Sequence, residues 1–381
     1  MAEIMVTVLG GGIGGLVAAV TAAERGADVS LHEAHHALGG RWRTTDPPYA
    51  AHEGPHVVYS DGVLSAWLKQ RGLLGQVAKV PLGALRRFSF HYRGRLRTGP
   101  PRPMLRALIS RARAPVDRSY RDWATERFGA EAAGVSAAAA GVGVFHFDPG
   151  ELSAAFVYER FRRVFSLPPA ASYRIGGGGA MINDLAAHAR RLGVRIELGS
   201  RIADPDDVRE GPVIVATELE SAQRLLNDPA LDWPSGRTAL LDLGLVADRR
   251  DVFVISDLDH AGWAEMFSVP DPSLAPEGAS LMQMQMPLKP DEAKADGVAR
   301  LESLADLGLP GWRDRVRFRR EGIANGRTGA VDPPGASWRD RPAIERGDDV
   351  YLVGDRVAAP GLLSEVSVNS AVTAAELAVP N

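Results

Sequence analysis

The N-terminal end constrains this chain more than any other part of it. Residues 4–9 (IMVTVL) are apolar and β-branched, the pattern of a strand buried on both faces. They run into Gly10-Gly11-Gly12-Ile13-Gly14-Gly15, which places G-x-G-x-x-G at Gly10, Gly12 and Gly15. Residues 16–25 predict a helix rich in Ala and Val, Gly26 ends it, and residues 27–32 (ADVSLH) predict a second strand. Glu33 closes that strand, about 20 residues beyond the glycines. The glycine spacing alone is weak evidence. In the order strand, glycines, helix, strand, acid, it predicts a dinucleotide site.

Each residue type has a physical reason to be there. Gly10 permits the tight turn, Gly12 lets backbone approach a pyrophosphate, and Gly15 lets helix and strand pack closely. Ile13 and Gly14 complete the cradle, where the helix start offers unpaired N–H groups and its positive dipole end. Glu33 is expected to hydrogen-bond a ribose 2′-hydroxyl, which favours an adenosine ribose over a 2′-phosphate. The run His32-Glu33-Ala34-His35-His36 also spells H-E-x-x-H. Zinc would need both histidines on one helical face, and these residues close a strand, so no metal is expected.

Composition sets outer limits. A chain of 381 residues suggests two domains or one large intertwined body. A net charge of −3 gives no reason to expect nucleic-acid binding. The chain has no cysteine, which excludes disulfides, thiolate metal sites and a cysteine nucleophile, and is compatible with a reducing cytoplasm. No cationic region precedes the first apolar run, so no signal peptide is expected. The best apolar stretch, 137–147, is far shorter than the ~20 residues that span a bilayer. The expectation is a cytoplasmic protein, at most peripheral to a membrane.

The segment after the second strand separates FAD from NAD. Leu38-Gly39-Gly40-Arg41-Trp42 is a glycine doublet with a basic residue, and Glu53-Gly54-Pro55-His56 comes soon after. Here the chain resembles the FAD-dependent superfamily of phytoene desaturases, protoporphyrinogen oxidase and flavin amine oxidases. The resemblance implies that Gly39, Gly40, Arg41 and Trp42 lie along the FAD pyrophosphate and flavin. It implies that Gly54, Pro55 and His56 reach the isoalloxazine. Near the far end, residues 349–353 (DVYLV) run into Gly354-Asp355, and a helix is expected over 364–377. The resemblance implies that Gly354 and Asp355 meet the ribityl chain, and that Glu365, Val366 and Ser367 offer backbone beneath the flavin pyrimidine. Where the family has Ser-Gly near that helix start, this chain has Asn369-Ser370-Ala371. Ile202, at the end of the predicted strand 196–202, is the implied adenine contact through its backbone.

The fold class implied is α/β, a Rossmann-type FAD-binding domain with an interleaved α+β substrate domain. Its pieces would be 1–75, 170–217 and 335–381 for FAD, and 76–169 and 218–334 for substrate. Residues 99–103 and 331–335 predict surface connections.

No second strand–G-x-G-x-x-G–helix unit is visible, so electrons are expected from an organic small-molecule substrate rather than NAD(P)H. Many amine oxidases of the family place a lysine on a substrate-domain strand, and residues 236–257 contain none. That favours a desaturase or oxidase acting on a largely apolar substrate. A flavin amine oxidase and a non-redox flavin-dependent isomerase stay open. His56 and Glu365 are the candidate catalytic residues. Met282, Met284 and Met286 alternate with period two, which puts all three on one strand face, as core or as an adaptable substrate wall. Residues 84–123 carry eleven arginines against two aspartates, interleaved with apolar residues. This segment is the candidate for peripheral membrane contact. Nothing in the sequence points to an oligomeric state.

Overall fold

Two large β-sheets of different character organise the chain, of which the computed structural model describes residues 4–53 and 57–380. The first holds β1 (Met5–Leu9) and β2 (Asp28–Glu33), parallel neighbours joined by α1 (Ile13–Glu24). The spatial order is Glu345–Gly347, Val350–Leu352, Val213–Val215, β1, β2, Arg195–Leu198. All neighbours are parallel except the terminal hairpin of Glu345–Gly347 and Val350–Leu352. Such a sheet is covered on both faces, which is why its strands read as continuous apolar runs rather than alternations. The cover on one side is α1, buried from Ile13 through Ala22 and packed against the helices Gly177–Arg191 and Ser364–Ala378. Gly26, at φ +90°, ends α1 in a conformation that suits glycine.

The second sheet runs Val316–Ala330, Ser235–Val246, Ala279–Pro287, Trp263–Met266, Val254–Asp257, Phe88–Tyr92, Arg95–Thr98. It is antiparallel except where Val254–Asp257 meets Phe88–Tyr92. A small sheet of Val58–Tyr59, Ala171–Arg174 and Val77–Lys79 lies beside these. A separate apolar cluster brings together Tyr120, Trp123, Phe128, Tyr158 and Phe161 from the helices of residues 102–164. The fold is therefore α/β, with a Rossmann-type parallel sheet and an α+β remainder. Among the described residues no helix is long and apolar enough to cross a membrane.

The connection at 331–335 departs from expectation. Val331 and Asp332 are buried, at 3% and 4% exposure. Arg341 donates to both Asp332 carboxylate oxygens, at 2.9 and 2.8 Å, and Trp233 Nε1 donates at 3.2 Å. The Pro-Pro-Gly that suggested a surface loop begins only after this anchored pair.

The candidate cofactor and substrate site

The glycine turn is shaped by what its missing side chains would hit. A Cβ on Gly15 would stand 1.9 Å from the Gly10 carbonyl oxygen, so α1 reaches β1 only because that atom is absent. A Cβ on Gly10, itself at φ +110°, would stand 2.5 Å from the Ala216 carbonyl oxygen. Gly12 is the opposite case. Nothing lies within 4 Å of its Cβ position, and the residue lines a cavity. Gly12 also caps α1 without any side-chain hydrogen bond, which leaves the helix start to a ligand.

Glu33 sits at the wall of the same cavity, 7% exposed. Its Oε2 accepts from Gly11 N at 2.7 Å and its Oε1 from His35 N at 2.8 Å. A carboxylate offers about four acceptor positions, so these two bonds fix its orientation without exhausting it. His35 and His36 are exposed on the loop beyond β2, and no helix faces them toward Glu33.

Two segments far apart in sequence close the other side. Gly39 and Gly40 take φ +106° and +52°. Arg41 Nη1 donates to Asp355 Oδ2 at 2.5 Å and to the Arg327 carbonyl at 2.8 Å. Burial alone would raise the Asp355 carboxyl, but the Arg41 guanidinium holds it below its usual range. Ser370, in the segment that departs from the family pattern, accepts from Gly354 N at 3.2 Å. Ile13, Gly14, Gly39, Gly40, Arg41, Trp42, Ile202, Gly354, Asp355 and Ser367 all line the cavity with Gly10, Gly12 and Glu33. Gly15 stands behind it, against Gly10.

The cavity has a volume of about 960 Å³ and continues from this polar end into the second sheet. There it is walled by Phe88, Phe90, Phe165 and Trp263, and by three groups that sequence reasoning missed: Tyr59, Tyr173 and Glu265. Period two explains the placement, since Phe88 and Phe90, Ala171 and Tyr173, and Trp263 and Glu265 each share a strand face. That spacing was readable, but an acid in a short strand reads most simply as solvent-facing. Burial pushes the Tyr59 hydroxyl up to about 12 and raises the Glu265 carboxyl. An open glycine, an uncapped helix start, a fixed acid and an adjoining aromatic chamber together suit a dinucleotide with a second ligand beside it.

The NAD(P)-binding Rossmann-like domain family matches residues 8–70, which span this turn and Glu33. No curated protein sequence matches the chain. Among solved structures it is similar to an oxidoreductase from Methanosarcina mazei, at 15% identity and TM-score 0.77, covering 98% of this chain and 100% of that one. It is similar to cyclohexylamine oxidase from Brevibacterium oxydans, at 14% identity and TM-score 0.70, with 99% of both chains covered. Reduced UDP-galactopyranose mutase is also similar, at 16% identity and TM-score 0.68, covering 98% of this chain and 95% of that one. The chain shares the fold of these structures. At these identities the likeness is one of architecture.

Two of the residues expected at the site, Glu365 and Val366, do not line the cavity. Glu365 is 7% exposed but does not line it. Its Oε2 accepts from Leu362 N at 3.1 Å and its Oε1 lies 3.3 Å from Arg163 Nη2. The carboxylate thus fastens the start of Ser364–Ala378. Val366 also lies off the cavity wall, whereas Leu362, Leu363 and Ser364 lie on it. Gly54, Pro55 and His56 lie outside the described residues.

The three methionines do share one face, but it is the wrong one for a substrate wall. Met282, Met284 and Met286 pack with Leu241, Leu243, Leu301 and Leu304. The opposite face carries Gln283, which donates to Asp242 and to the His52 carbonyl, and Gln285, which accepts from Thr238 at 2.9 Å. Both faces of Ala279–Pro287 are buried and neither lines the cavity, which alternation alone could not say.

Away from the cavity, Asp257 joins His91 at 2.9 Å and His260 at 3.2 Å, the one grouping of possible metal ligands among the described residues. Asp257 also accepts from the backbone N–H groups of Asp259 and His260. Hydrogen bonds to Asp257 raise both imidazoles, so these bonds account for the cluster without an ion.

Proposed function

We propose that this protein is an FAD-dependent oxidoreductase of desaturase or oxidase type, taking a hydride from a largely apolar organic substrate. Reoxidation would fall to dioxygen or another acceptor. The observation that carries this reading is one continuous cavity, which joins the glycine turn to an aromatic chamber. When bound, the flavin supplies the hydride acceptor. The protein's own part is positional. The α1 start and Gly12 would hold the pyrophosphate, Glu33 the adenosine ribose, Ile202 the adenine side, and Asp355, steadied by Arg41, the ribityl chain. The aromatic wall would seat the substrate and exclude water.

Purified protein should be yellow and release FAD on denaturation. The flavin should bleach anaerobically with apolar organic donors and not with NADPH alone. Release of FMN, NAD or no cofactor from folded protein would overturn the assignment, and rapid reduction by NADPH would make it a reductase or monooxygenase. The mutase among the similar structures supports a second reading, flavin-dependent isomerisation. An isomerised product with no net bleaching and no peroxide would select it.

We also propose that the protein is cytoplasmic and meets an anionic membrane at the cavity mouth. Leu82, Ile109 and Leu167 are 84%, 78% and 86% exposed, and Leu85, Leu105 and Leu167 border the cavity. Exposed Arg86, Arg102, Arg111 and Arg113 lie in the same stretch of chain, with no ion pair among the described residues. Apolar side chains beside unpaired cations suit anionic headgroups. The protein should co-sediment with phosphatidylglycerol vesicles at low salt and much less with phosphatidylcholine. Equal binding to both, or to neither, would refute the contact.

A further inference from the structure

An acid and a phenol meet in the aromatic chamber, and their arrangement says more about the substrate than the apolar walls do. Glu265 is 4% exposed and Tyr173 6%, and both line the cavity. Their strands belong to different sheets, Trp263–Met266 to the second large one and Ala171–Arg174 to the small one. Oε1 of Glu265 stands 2.5 Å from Tyr173 Oη, and Oε2 stands 2.9 Å from Trp263 Nε1. No arginine, lysine or histidine forms an ion pair with Glu265 among the described residues. Arg163, the cation stacked over Tyr59 at 4.6 Å, is already matched by Asp61 and Glu365. A carboxylate buried without a counter-charge is costly, and the group escapes that cost by keeping its proton. Burial raises the Glu265 carboxyl in that direction, opposed only by the bonds to Tyr173 and Trp263.

The same two bonds fix where that proton stands. An indole N–H can only donate, so Oε2 is the accepting, carbonyl oxygen of the acid. The proton is then on Oε1, directed at the Tyr173 oxygen. A phenol both accepts and donates, so once it accepts from Glu265 its own O–H is released for the cavity. The walls it meets there are rings. Phe88 lies edge-on to Trp263 at 5.7 Å and beside Phe90 at 5.0 Å, and Phe165 meets both Phe90 and Trp263. A buried donor left without an acceptor is costly, and a ligand that brings the acceptor recovers that cost. An ammonium group brings only donors. A hydroxyl would bring a second proton, for which Phe88, Phe90 and Phe165 offer no acceptor. A carbonyl oxygen accepts and requires nothing further.

We propose that Tyr173, set by Glu265, is the hydrogen-bond donor of the substrate site, and that the site takes a neutral molecule with one carbonyl oxygen on an otherwise apolar body. The proposal rests on reading the aromatic chamber as the substrate end of the cavity. It deepens the functional reading above by giving the apolar substrate one oxygen and a fixed point of attachment. Glu265 is a positioning residue, which directs the phenol and does not itself touch the carbonyl. The hydrocarbon part fills the space between Phe88, Phe90 and Phe165.

The test uses the full chain as purified, with FAD content measured in parallel. The probe is 4-phenyl-2-butanone, isotope-labelled at its carbonyl carbon and read by infrared difference spectroscopy, with n-butylbenzene as the match that lacks oxygen. The C=O stretch of the bound ketone should lie below its value in hexane, as for a hydrogen-bonded carbonyl. In Tyr173→Phe the stretch should return to the hexane value and ketone affinity should fall about fivefold, the weight of one neutral hydrogen bond, with butylbenzene affinity unchanged. Glu265→Gln copies the protonated acid, because its amide oxygen accepts from Trp263 while its N–H donates to Tyr173. Stretch and affinity should therefore stay as in the unmodified protein. No ketone binding, a hexane-like stretch in the unmodified protein, a low stretch that survives Tyr173→Phe, or its loss in Glu265→Gln would each overturn the proposal. If Tyr173→Phe fails to fold, the unmodified protein and Glu265→Gln decide. Absence of FAD beside a hydrogen-bonded ketone would refute the flavoenzyme reading and leave the carbonyl site standing. Bound FAD with a free carbonyl would do the reverse.

Discussion

A Gly15→Ala variant should purify colourless and markedly less stable than the parent. The added methyl would meet the Gly10 carbonyl oxygen at 1.9 Å and its carbon at 3.0 Å, both backbone atoms with no rotamer to escape into. α1 must then lift from β1. Overpacking a tight interior contact costs about 1–3 kcal/mol and sometimes more, and backbone on both sides puts this site at the upper end. Gly12→Ala is the informative partner. Its backbone, at φ −74° and ψ −177°, is ordinary for alanine, and the space around its Cβ is open. The melting temperature should hardly move, while FAD retention should fall about a hundredfold, because the methyl occupies the approach of the pyrophosphate. Flavin absorbance after desalting and a thermal melt read the two effects separately. Full FAD retention in Gly12→Ala would sink the assignment of this turn as the cradle.

Asp332→Ala should be the most damaging change far from the cavity. It strips Arg341, whose side chain is 1% exposed, of both its carboxylate bonds. Arg341 Nη1 already has no partner among the described residues. Removing one partner of a buried pair costs about 3–5 kcal/mol, since the remaining charge stays in the interior. Replacing both, as in Asp332→Leu with Arg341→Met, should recover much of the loss. Chemical denaturation of the parent and both variants measures this. A double variant no more stable than Asp332→Ala would mean that the pair itself, and not the orphaned charge, sets the cost.

How much of the molecule is legible in its sequence depends on the range over which each signal acts. The β1–α1–β2 unit was legible because its determinants are local: an apolar run, glycines at fixed offsets, a helix stop at Gly26. Glu33 was legible because its place is counted from those glycines. The strand Val350–Leu352 and the helix Ser364–Ala378 also lie within a few residues of the bounds expected for them, 349–353 and 364–377. Glu265 was not legible, because it gains meaning only where Trp263–Met266 faces Ala171–Arg174, strands of different sheets. Glu365 is a different case. The start of its helix does border the cavity, yet the side chain turns back to Leu362 and Arg163, a choice no linear pattern encodes.

The position of β1 in its sheet bears on how this protein can be made. Thr7, Val8 and Leu9 pair on one side with Val213, Ile214 and Val215, and Val213 in turn pairs with Val350. During synthesis β1 and β2 therefore emerge long before the strands that cover their open edge. The parallel sheet assembles against a large loop-closure cost, the condition under which chains fold slowly and expose sticky edges. The clasp between Arg41 and Asp355 comes later still. A nascent chain released before its last segment would carry the glycine turn without the Asp355 side of the cavity. Both sides of the cavity are present only once the last segment is made, so on the proposed flavin reading flavin supply during expression should raise the yield of folded protein more than it changes the folding of any N-terminal fragment.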